Sequence, residues 1–123
     1  MVVFQGSGLV FRELTGRLSA DPLPAGAPCS MRVVRIAPGP RTPHRHPHSV
    51  EVVYVVEGTG TTWEDDVPSR VVPGDVVLVP AGVAHATVAD GPDELVLACF
   101  FPHPDLSANL EELDGPLRDR APS

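Results

Sequence analysis

The side chains best suited to chemistry in this sequence are three histidines and a glutamate: His44, His46, His85 and Glu51. Residues i and i+2 of an extended chain project to the same side, so His44 and His46 lie together, with Cα atoms about 6.6 Å apart. The Glu51 carboxylate returns to the same space if the chain turns just before it. His85 follows a tight Pro-Ala-Gly turn and can supply a fourth donor. Three neutral imidazoles and one carboxylate suit a divalent transition metal such as iron, manganese, nickel, copper or zinc.

Each of these residues alone has a simpler explanation, because a single histidine on a strand is usually a polar residue with an ordinary hydrogen-bond partner. The four residues taken together are harder to explain in this way. Two histidines on one face, an inward carboxylate and a third histidine are costly to bury together without an ion that satisfies them. An octahedral ion with these ligands keeps two adjacent positions for water, oxygen or substrate. The spacing therefore predicts one metal centre with open positions.

Short valine-rich segments must position these residues, and 15 prolines and 11 glycines separate the segments. Short strands separated by turns, without intervening helices, are typical of an antiparallel sandwich or barrel. The predicted strands are 2–4, 9–14, 31–37, 50–57, 59–64, 69–72, 76–79, 85–89 and 94–101, with a loop at 19–28. After the last strand, a Pro-Asp pair at 104–105 predicts a short C-terminal helix with Leu106, Leu110 and Leu113 on one face. We expect one domain over residues 1–123.

Two segments resemble the paired motifs of the cupin superfamily, which read G-x5-H-x-H-x3–4-E-x6-G and G-x5-P-x-G-x2-H-x3-N. The first segment is GPRTPHRHPHSVEVVYVVEG at 39–58, and the second is GDVVLVPAGVAHATVA at 74–89. By this resemblance His44, His46, Glu51 and His85 occupy the metal-ligand positions. The resemblance also implies a small jelly-roll β-barrel of six to eight strands.

The sequence departs from the family pattern at two places. Only four residues separate Gly39 from His44, and position 89 is alanine where the pattern has asparagine. Neither change replaces a ligand. A shifted pair, His46 and His48, would leave two residues before Glu51 and fits the pattern poorly, so we retain His44 and His46 as the pair.

Other side chains are candidates for roles beside the metal. Counting alternate residues from Glu51 places Glu57 inward, where it can act as an acid or base or simply close a turn, and it places Tyr54 outward. His48 is a loop residue or a proton-transfer group. Arg35, Arg41 and Arg45 can each bind a substrate carboxylate with two hydrogen bonds. Arg45 should face outward because it stands between two ligands. Arg35 is the best candidate of the three, and the alternative is an ordinary surface arginine.

Composition excludes several classes of function. The formal charge is −7 and the chain contains no lysine, so Schiff-base catalysis through a lysine is excluded, and a nucleic-acid partner is disfavoured. Cys29 and Cys99 are 70 positions apart without a metal or redox spacing, which predicts a reduced pair. Trp63 is packed either in the core or at the mouth of the barrel, or it is a stacking platform for an aromatic substrate. No segment is typical of a signal peptide or a membrane helix, so we expect a cytoplasmic protein.

Strand 50–57 is apolar on both faces, which predicts a second buried surface and hence a homodimer. For function, the resemblance favours a metal-dependent enzyme acting on a small organic molecule, with oxygen-dependent, dioxygenase-type chemistry as the leading hypothesis. The alternatives are a non-oxidative isomerase, cyclase, decarboxylase or lyase, and a non-catalytic module that binds a small ligand. The sequence specifies neither the substrate nor the metal, because one fold carries many functions.

Overall fold

The computed structural model describes residues 1–122 and consists of two antiparallel sheets with the hydrophobic core between them. The strands are β1 (Arg12–Leu14), β2 (Arg17–Ala20), β3 (Ser30–Ile36), β4 (His44–Arg45), β5 (Glu51–Glu57), β6 (Gly60–Glu64), β7 (Val67–Val71), β8 (Val76–Val79), β9 (His85–Ala89), β10 (Leu95–Phe101) and β11 (Glu111–Glu112). The six-stranded sheet has the order β1-β2-β3-β10-β5-β8, and the five-stranded sheet has the order β11-β4-β9-β6-β7. This arrangement is a jelly roll, as predicted. None of the helical structure in residues 1–122 is long and apolar enough to cross a membrane.

The centre of the larger sheet carries both the core and part of the polar interior. β3, β10 and β5 are neighbours, and alternate residues along each of them are buried, as expected for strands with one face on a core. Their buried apolar residues are Val34, Ile36, Val53, Val55, Leu95, Leu97, Cys99 and Phe101. On the same inner face, β3 carries Ser30 and Arg32 before Val34, and β5 begins with Glu51 before Val53. The interior therefore changes from apolar to polar along these strands, which places a polar site at one end of the core.

The predicted strands between residues 31 and 101 are confirmed, with boundaries shifted by at most two residues. The strand predicted at 2–4 is wrong: Val2 and Val3 are exposed, and the nearest regular element is a 3₁₀ turn at Gly6–Gly8. The strand predicted at 9–14 is shorter and begins at Arg12. β2 overlaps the predicted loop at 19–28 and pairs with β3, with Leu18 opposite Arg35. Short strands such as β2 and β4 carry too few residues for a clear periodic signal.

The predicted C-terminal helix is wrong. Asp105 does accept hydrogen bonds from the backbone N–H groups of Ser107 and Ala108, as a helix cap would, but only one turn follows. The turn ends because the Asn109 carbonyl accepts a hydrogen bond from the His46 ring instead of continuing a helix. The chain then extends into β11, which pairs with β4. Leu106 still packs against the core, as part of this turn.

The outer face of the larger sheet carries several exposed apolar side chains on the neighbouring strands β5, β8 and β10. They are Tyr54, Val56, Val76, Leu78 and Phe100, each between 41% and 65% exposed. The predicted outward direction of Tyr54 is confirmed. A sheet face in contact with solvent usually carries more polar side chains than this one, and the sequence of strand 50–57 already indicated an apolar outer face.

Candidate metal centre

The four predicted donor residues come from both sheets and meet inside the molecule. His44 in β4 lies directly opposite His85 in β9, and His46 is the first residue after β4. Glu51 begins β5 in the other sheet. One ligand atom from each residue lies within 4.8 Å of the others, and all four residues are buried. The structure thus brings together a group that can hold a metal ion, across the interior between the sheets.

The turn before His85 packs against the histidine pair. The backbone N–H of Gly82 donates a hydrogen bond to the carbonyl oxygen of His46, at 2.8 Å. Gly82 has a φ of 78°, a left-handed conformation that glycine adopts without a steric penalty. The Pro-Ala-Gly turn therefore fixes the segment leading to His85 against His46.

Backbone carbonyl groups orient two of the rings. The Nδ1 of His46 lies 2.8 Å from the carbonyl oxygen of Asn109, and the Nδ1 of His85 lies 2.9 Å from that of Val83. Because a carbonyl oxygen only accepts, each Nδ1 carries a proton, and in the neutral ring Nε2 has the lone pair that a metal ion binds. These Nε2 atoms lie 3.3 Å and 3.1 Å from Oε1 of Glu51. One ion between them can therefore bind both rings and the carboxylate.

Unpartnered nitrogen atoms give a test of whether an ion fits here. Within residues 1–122, Nδ1 of His44 and Nε2 of His46 are buried without a hydrogen-bond partner. Buried polar groups of this kind normally have a partner, and leaving one unpaired is destabilising. A metal ion bonded to Nε2 of His46 supplies the missing interaction of that atom, and it does the same for His44 if it binds Nδ1. The donor set therefore fits a divalent transition ion.

Burial and neighbouring charges set the protonation states. Burial alone raises the pKa of Glu51, but its interactions with His46 and His85 outweigh this and lower the pKa well below its usual range. Burial, with repulsion from His85 and Arg41, lowers the pKa of His44. At neutral pH the Glu51 carboxylate is ionised and His44 is neutral, which are the forms that metal ions bind.

A cavity of about 30 Å³ lies beside the four donors. Its apolar wall consists of Val34, Ile36, Val53, Leu97 and Phe101, and its polar wall adds Arg17, Arg32, Arg41, Thr87 and Cys99. Burial raises the pKa of the Cys99 thiol, and Glu51 raises it further, so the thiol stays protonated. A space of this size accommodates about two water-sized ligands.

The buried arginines are functional candidates that the sequence analysis largely missed. Arg41 is one of the predicted carboxylate binders, and Arg17 and Arg32 are not among them. The parity of β3 carries a signal for Arg32, which shares a face with the inward-pointing Val34 and Ile36. That same parity places Arg35 outward.

Arg35 and Arg45 both face solvent. Arg35 forms an exposed ion pair with Glu94, at 2.6 Å, and its guanidinium lies over the ring of Phe11. Its side chain therefore does not reach the cavity as a carboxylate clamp. Arg45 pairs with Glu111 and points outward, as expected from its position between two ligands.

The predicted inward direction of Glu57 is wrong, because β5 contains a bulge. Leu97 of β10 lies opposite Val55, whereas Val96 lies opposite Glu57, so Val56 is an extra residue. The bulge reverses the alternation, and Glu57 is exposed.

His48 is also exposed. Its ring stacks on that of His103, with the ring centres 5.7 Å apart, outside the cavity.

The two cysteines are both free, with Cys29 half-buried and Cys99 buried in the cavity wall.

Trp63 is not a core residue. Its indole Nε1 donates to the carbonyl oxygen of Asp119 at 2.7 Å, and the Arg118 guanidinium lies 4.7 Å from the ring centre. The tryptophan therefore lies under the C-terminal segment, at the edge of a second and larger opening.

This larger opening is a cleft of about 710 Å³ between the edge strands of the two sheets, β7 and β8. Apolar side chains such as Val71, Val77 and Val79 line it, together with Trp63. His85 lines both the cleft and the inner cavity. The metal-binding group is thus adjacent to a space large enough for a small organic molecule.

Comparison with known proteins agrees with the family to which the fold and the four donor residues point. The family described as "Cupin domain" matches residues 32–101, which is more than half of the chain. The chain therefore belongs to the cupin family. Protein SchB of Streptomyces halstedii is 37% identical over 105 residues, covering 80% of this chain and 76% of that protein.

Solved structures of cupin-type proteins have the same fold. The formate complex of Lactobacillus farciminis oxalate decarboxylase superposes with a TM-score of 0.72 and 23% identity; 87% of this chain is covered, but only 34% of that enzyme's chain. KdgF from Halomonas sp. superposes with a TM-score of 0.69 and 24% identity, covering 83% of this chain and 95% of that one. At 23% and 24% sequence identity, the similarity to these two structures establishes the fold alone.

Proposed function

We propose that this cupin is a metal-dependent enzyme that acts on a small organic molecule. His44, His46, Glu51 and His85 would hold one divalent transition ion, which can be iron, manganese, nickel, copper or zinc. The observation that carries the proposal is the convergence of four buried donors within 4.8 Å. When bound, such an ion supplies Lewis-acid activation of substrate oxygen atoms or activation of dioxygen.

The chain's own residues prepare this centre. The carbonyl groups of Asn109 and Val83 hold the rings of His46 and His85 in fixed tautomers. The apolar wall around Val53 excludes bulk water from the donors. The cleft between β7 and β8 is where we place the body of the substrate.

Within this proposal, oxygen-dependent oxidation of dioxygenase type is the leading reaction. The lining of the inner cavity, among the described residues, offers no general acid or base apart from the four donors, because its other titratable groups are arginines and the protonated thiol of Cys99. Glu57 and His48, the candidates for proton transfer, are exposed. Oxidation at the ion needs less help from such a group than isomerisation or decarboxylation, in which a side chain commonly moves a proton.

The test compares turnover with and without oxygen. Metal-free protein is loaded separately with each single metal and incubated with a panel of small organic acids and ketones, while oxygen uptake and substrate loss are measured. We expect substrate loss in one metal form, dependent on oxygen and abolished by His85→Ala. Equal turnover under anaerobic conditions contradicts the oxidative reaction and favours isomerase, cyclase, decarboxylase or lyase chemistry. Binding of panel members without conversion favours a ligand-binding module.

We also propose that the protein forms a homodimer through the outer face of the larger sheet. The exposed side chains of Tyr54, Leu78 and Phe100 lie on neighbouring strands and form one apolar surface. Apolar surface of this kind is stabilised when a second copy covers it.

A further inference from the structure

Three arginine side chains are buried inside the molecule beside the metal-binding group. Side-chain exposure is 3% for Arg17 and 7% for Arg32, and Arg41 as a residue is 5% exposed. All three line the inner cavity. A guanidinium is rarely buried unless an anion or a set of acceptors satisfies it. The partners of each arginine therefore indicate what the cavity is built to bind.

Arg17 is satisfied by the protein itself. Its Nη1 donates to Oε1 of Glu112 at 2.7 Å and to the carbonyl oxygen of Thr15 at 2.8 Å. Arg32 is only loosely paired, because its Nε lies 3.6 Å from Oδ1 of Asp21 and makes no hydrogen bond with any of residues 1–122. The positive charge of Arg32 is thus partly balanced, but its donors are not fully used.

Arg41 is the least satisfied of the three. Its Nη1 donates to the carbonyl oxygen of Thr87 at 3.1 Å, whereas its buried Nε and Nη2 find no partner in the described part of the chain. Burial, reinforced by repulsion from Arg17, lowers the pKa of Arg41 to about 10, so the guanidinium remains charged at neutral pH. Nε and Nη2 lie on the same edge of the planar, charged guanidinium. Two N–H donors on one edge can bind both oxygens of a carboxylate.

The Arg41 side chain is held in place from outside. A Cβ atom at Gly16 would lie 3.1 Å from the Arg41 Cβ and 3.3 Å from its Nε, so the glycine backbone packs closely against this side chain. The Arg41 backbone pairs with that of Arg118, with both N···O distances at 2.9 Å. These contacts fix the position of the Arg41 side chain, which lines the cavity.

The charges of the interior also favour an anion. Glu51 is the buried carboxylate of the group, and Glu112 and Asp21 balance Arg17 and Arg32 from partly exposed positions. With three positive and three negative side chains, the two charges of a divalent ion are left unopposed. An anionic ligand bound next to the ion balances them. The inner cavity of about 30 Å³ leaves room beside the donors for a small planar group such as a carboxylate.

We propose that Arg41, assisted by Arg32, binds the carboxylate group of an organic acid beside the metal centre, and this inference rests on the proposed function because the ion completes the charge balance. The substrate class is thereby narrowed to carboxylic acids. Arg41 acts as a binding and specificity residue, and the uncharged body of the acid stays outside the inner cavity.

The test uses acetate and its neutral isostere acetamide as probes. Each is titrated calorimetrically into metal-loaded protein at constant ionic strength, and metal content is measured in every sample. We expect acetate to bind and acetamide not to bind, and we expect Arg41→Met to weaken acetate binding by about 10- to 100-fold with unchanged metal content. Arg35→Met, which alters an exposed arginine, is the matched control and should bind acetate like the wild type.

Arg41→Lys keeps the charge but not the fork, so it provides a second variant if Arg41→Met does not fold. We expect it to bind acetate more weakly than the wild type and to keep its metal. Acetate binding that is unchanged in Arg41→Met or Arg41→Lys overturns the carboxylate site, as does equal binding of acetate and acetamide by the wild type. Failure of the wild type to hold any metal instead contradicts the proposed function.

Discussion

Replacing Asn109 by alanine tests whether the turn after the last long strand orients the metal-binding group. Asn109 is 1% exposed, and its side chain makes two hydrogen bonds: Oδ1 accepts from the backbone N–H of His48 and Nδ2 donates to the hydroxyl of Ser49, both at 2.8 Å. The Asn109 carbonyl also accepts from the His46 ring. The side chain thus anchors the turn whose backbone holds a proposed ligand.

The expected effects follow from these contacts. Losing two hydrogen bonds and leaving a small void lowers the free energy of unfolding by about 2–4 kcal/mol. For a chain of this size the melting temperature then falls by roughly 10 °C. Loosening the group that orients a ligand should also weaken metal binding by about 10- to 100-fold.

Thermal unfolding of the metal-free protein and chelator competition for the metal measure the two effects separately. Ser107→Ala, in the same turn, is the matched control: among residues 1–122 the Ser107 side chain bonds only to the exposed Asp105 carboxylate, so metal affinity should not change. If Asn109→Ala loses the expected stability but binds metal like the wild type, the reasoning that the turn orients His46 is refuted.

Glu51→Gln keeps the shape of the side chain but removes its charge; we expect chelator competition to show metal binding weakened by more than about 100-fold, since groups that only orient ligands already contribute about 10- to 100-fold. The exposed Glu57→Gln is its control and should bind metal normally. Because the pKa of His44 is lowered in the folded state, the unfolded chain takes up a proton below the ordinary value of 6.5 before the folded chain does. The melting temperature of metal-free protein should therefore decrease as the pH falls below 6.5, and less steeply in His44→Gln; identical slopes contradict a buried neutral His44. Tyr54→Glu introduces a charge on the apolar outer face and should convert a dimer to a monomer in sedimentation velocity, whereas a monomeric wild type rules out the proposed dimer.

Local spacing predicted part of the donor group, and the resemblance to the cupin motifs supplied the full set of four ligands. The i, i+2 pair of His44 and His46 keeps its relation in any extended chain, and the turn before His85 is encoded by a Pro-Ala-Gly sequence whose glycine needs a positive φ. The valine-rich strands were predictable for a related reason, because alternation and flanking turns mark them without knowledge of their partners.

Features that depend on partners from elsewhere in the chain were not predictable in this way. The bulge at Val56 arises from pairing with β10, and it turns Glu57 from the interior to solvent. The short turn after Asp105 looks helical in sequence, but the His46 ring and the pairing of β11 with β4 determine its course. The burial of Arg17 likewise depends on Glu112, which is 95 positions away.

Anomalous diffraction from crystals loaded with a single transition metal tests the metal centre most directly. We predict one peak per chain, about 2.0–2.2 Å from a nitrogen atom of each of His44, His46 and His85 and from an oxygen atom of Glu51. A peak bound elsewhere, or the absence of a peak while these four side chains keep their arrangement, would contradict the account.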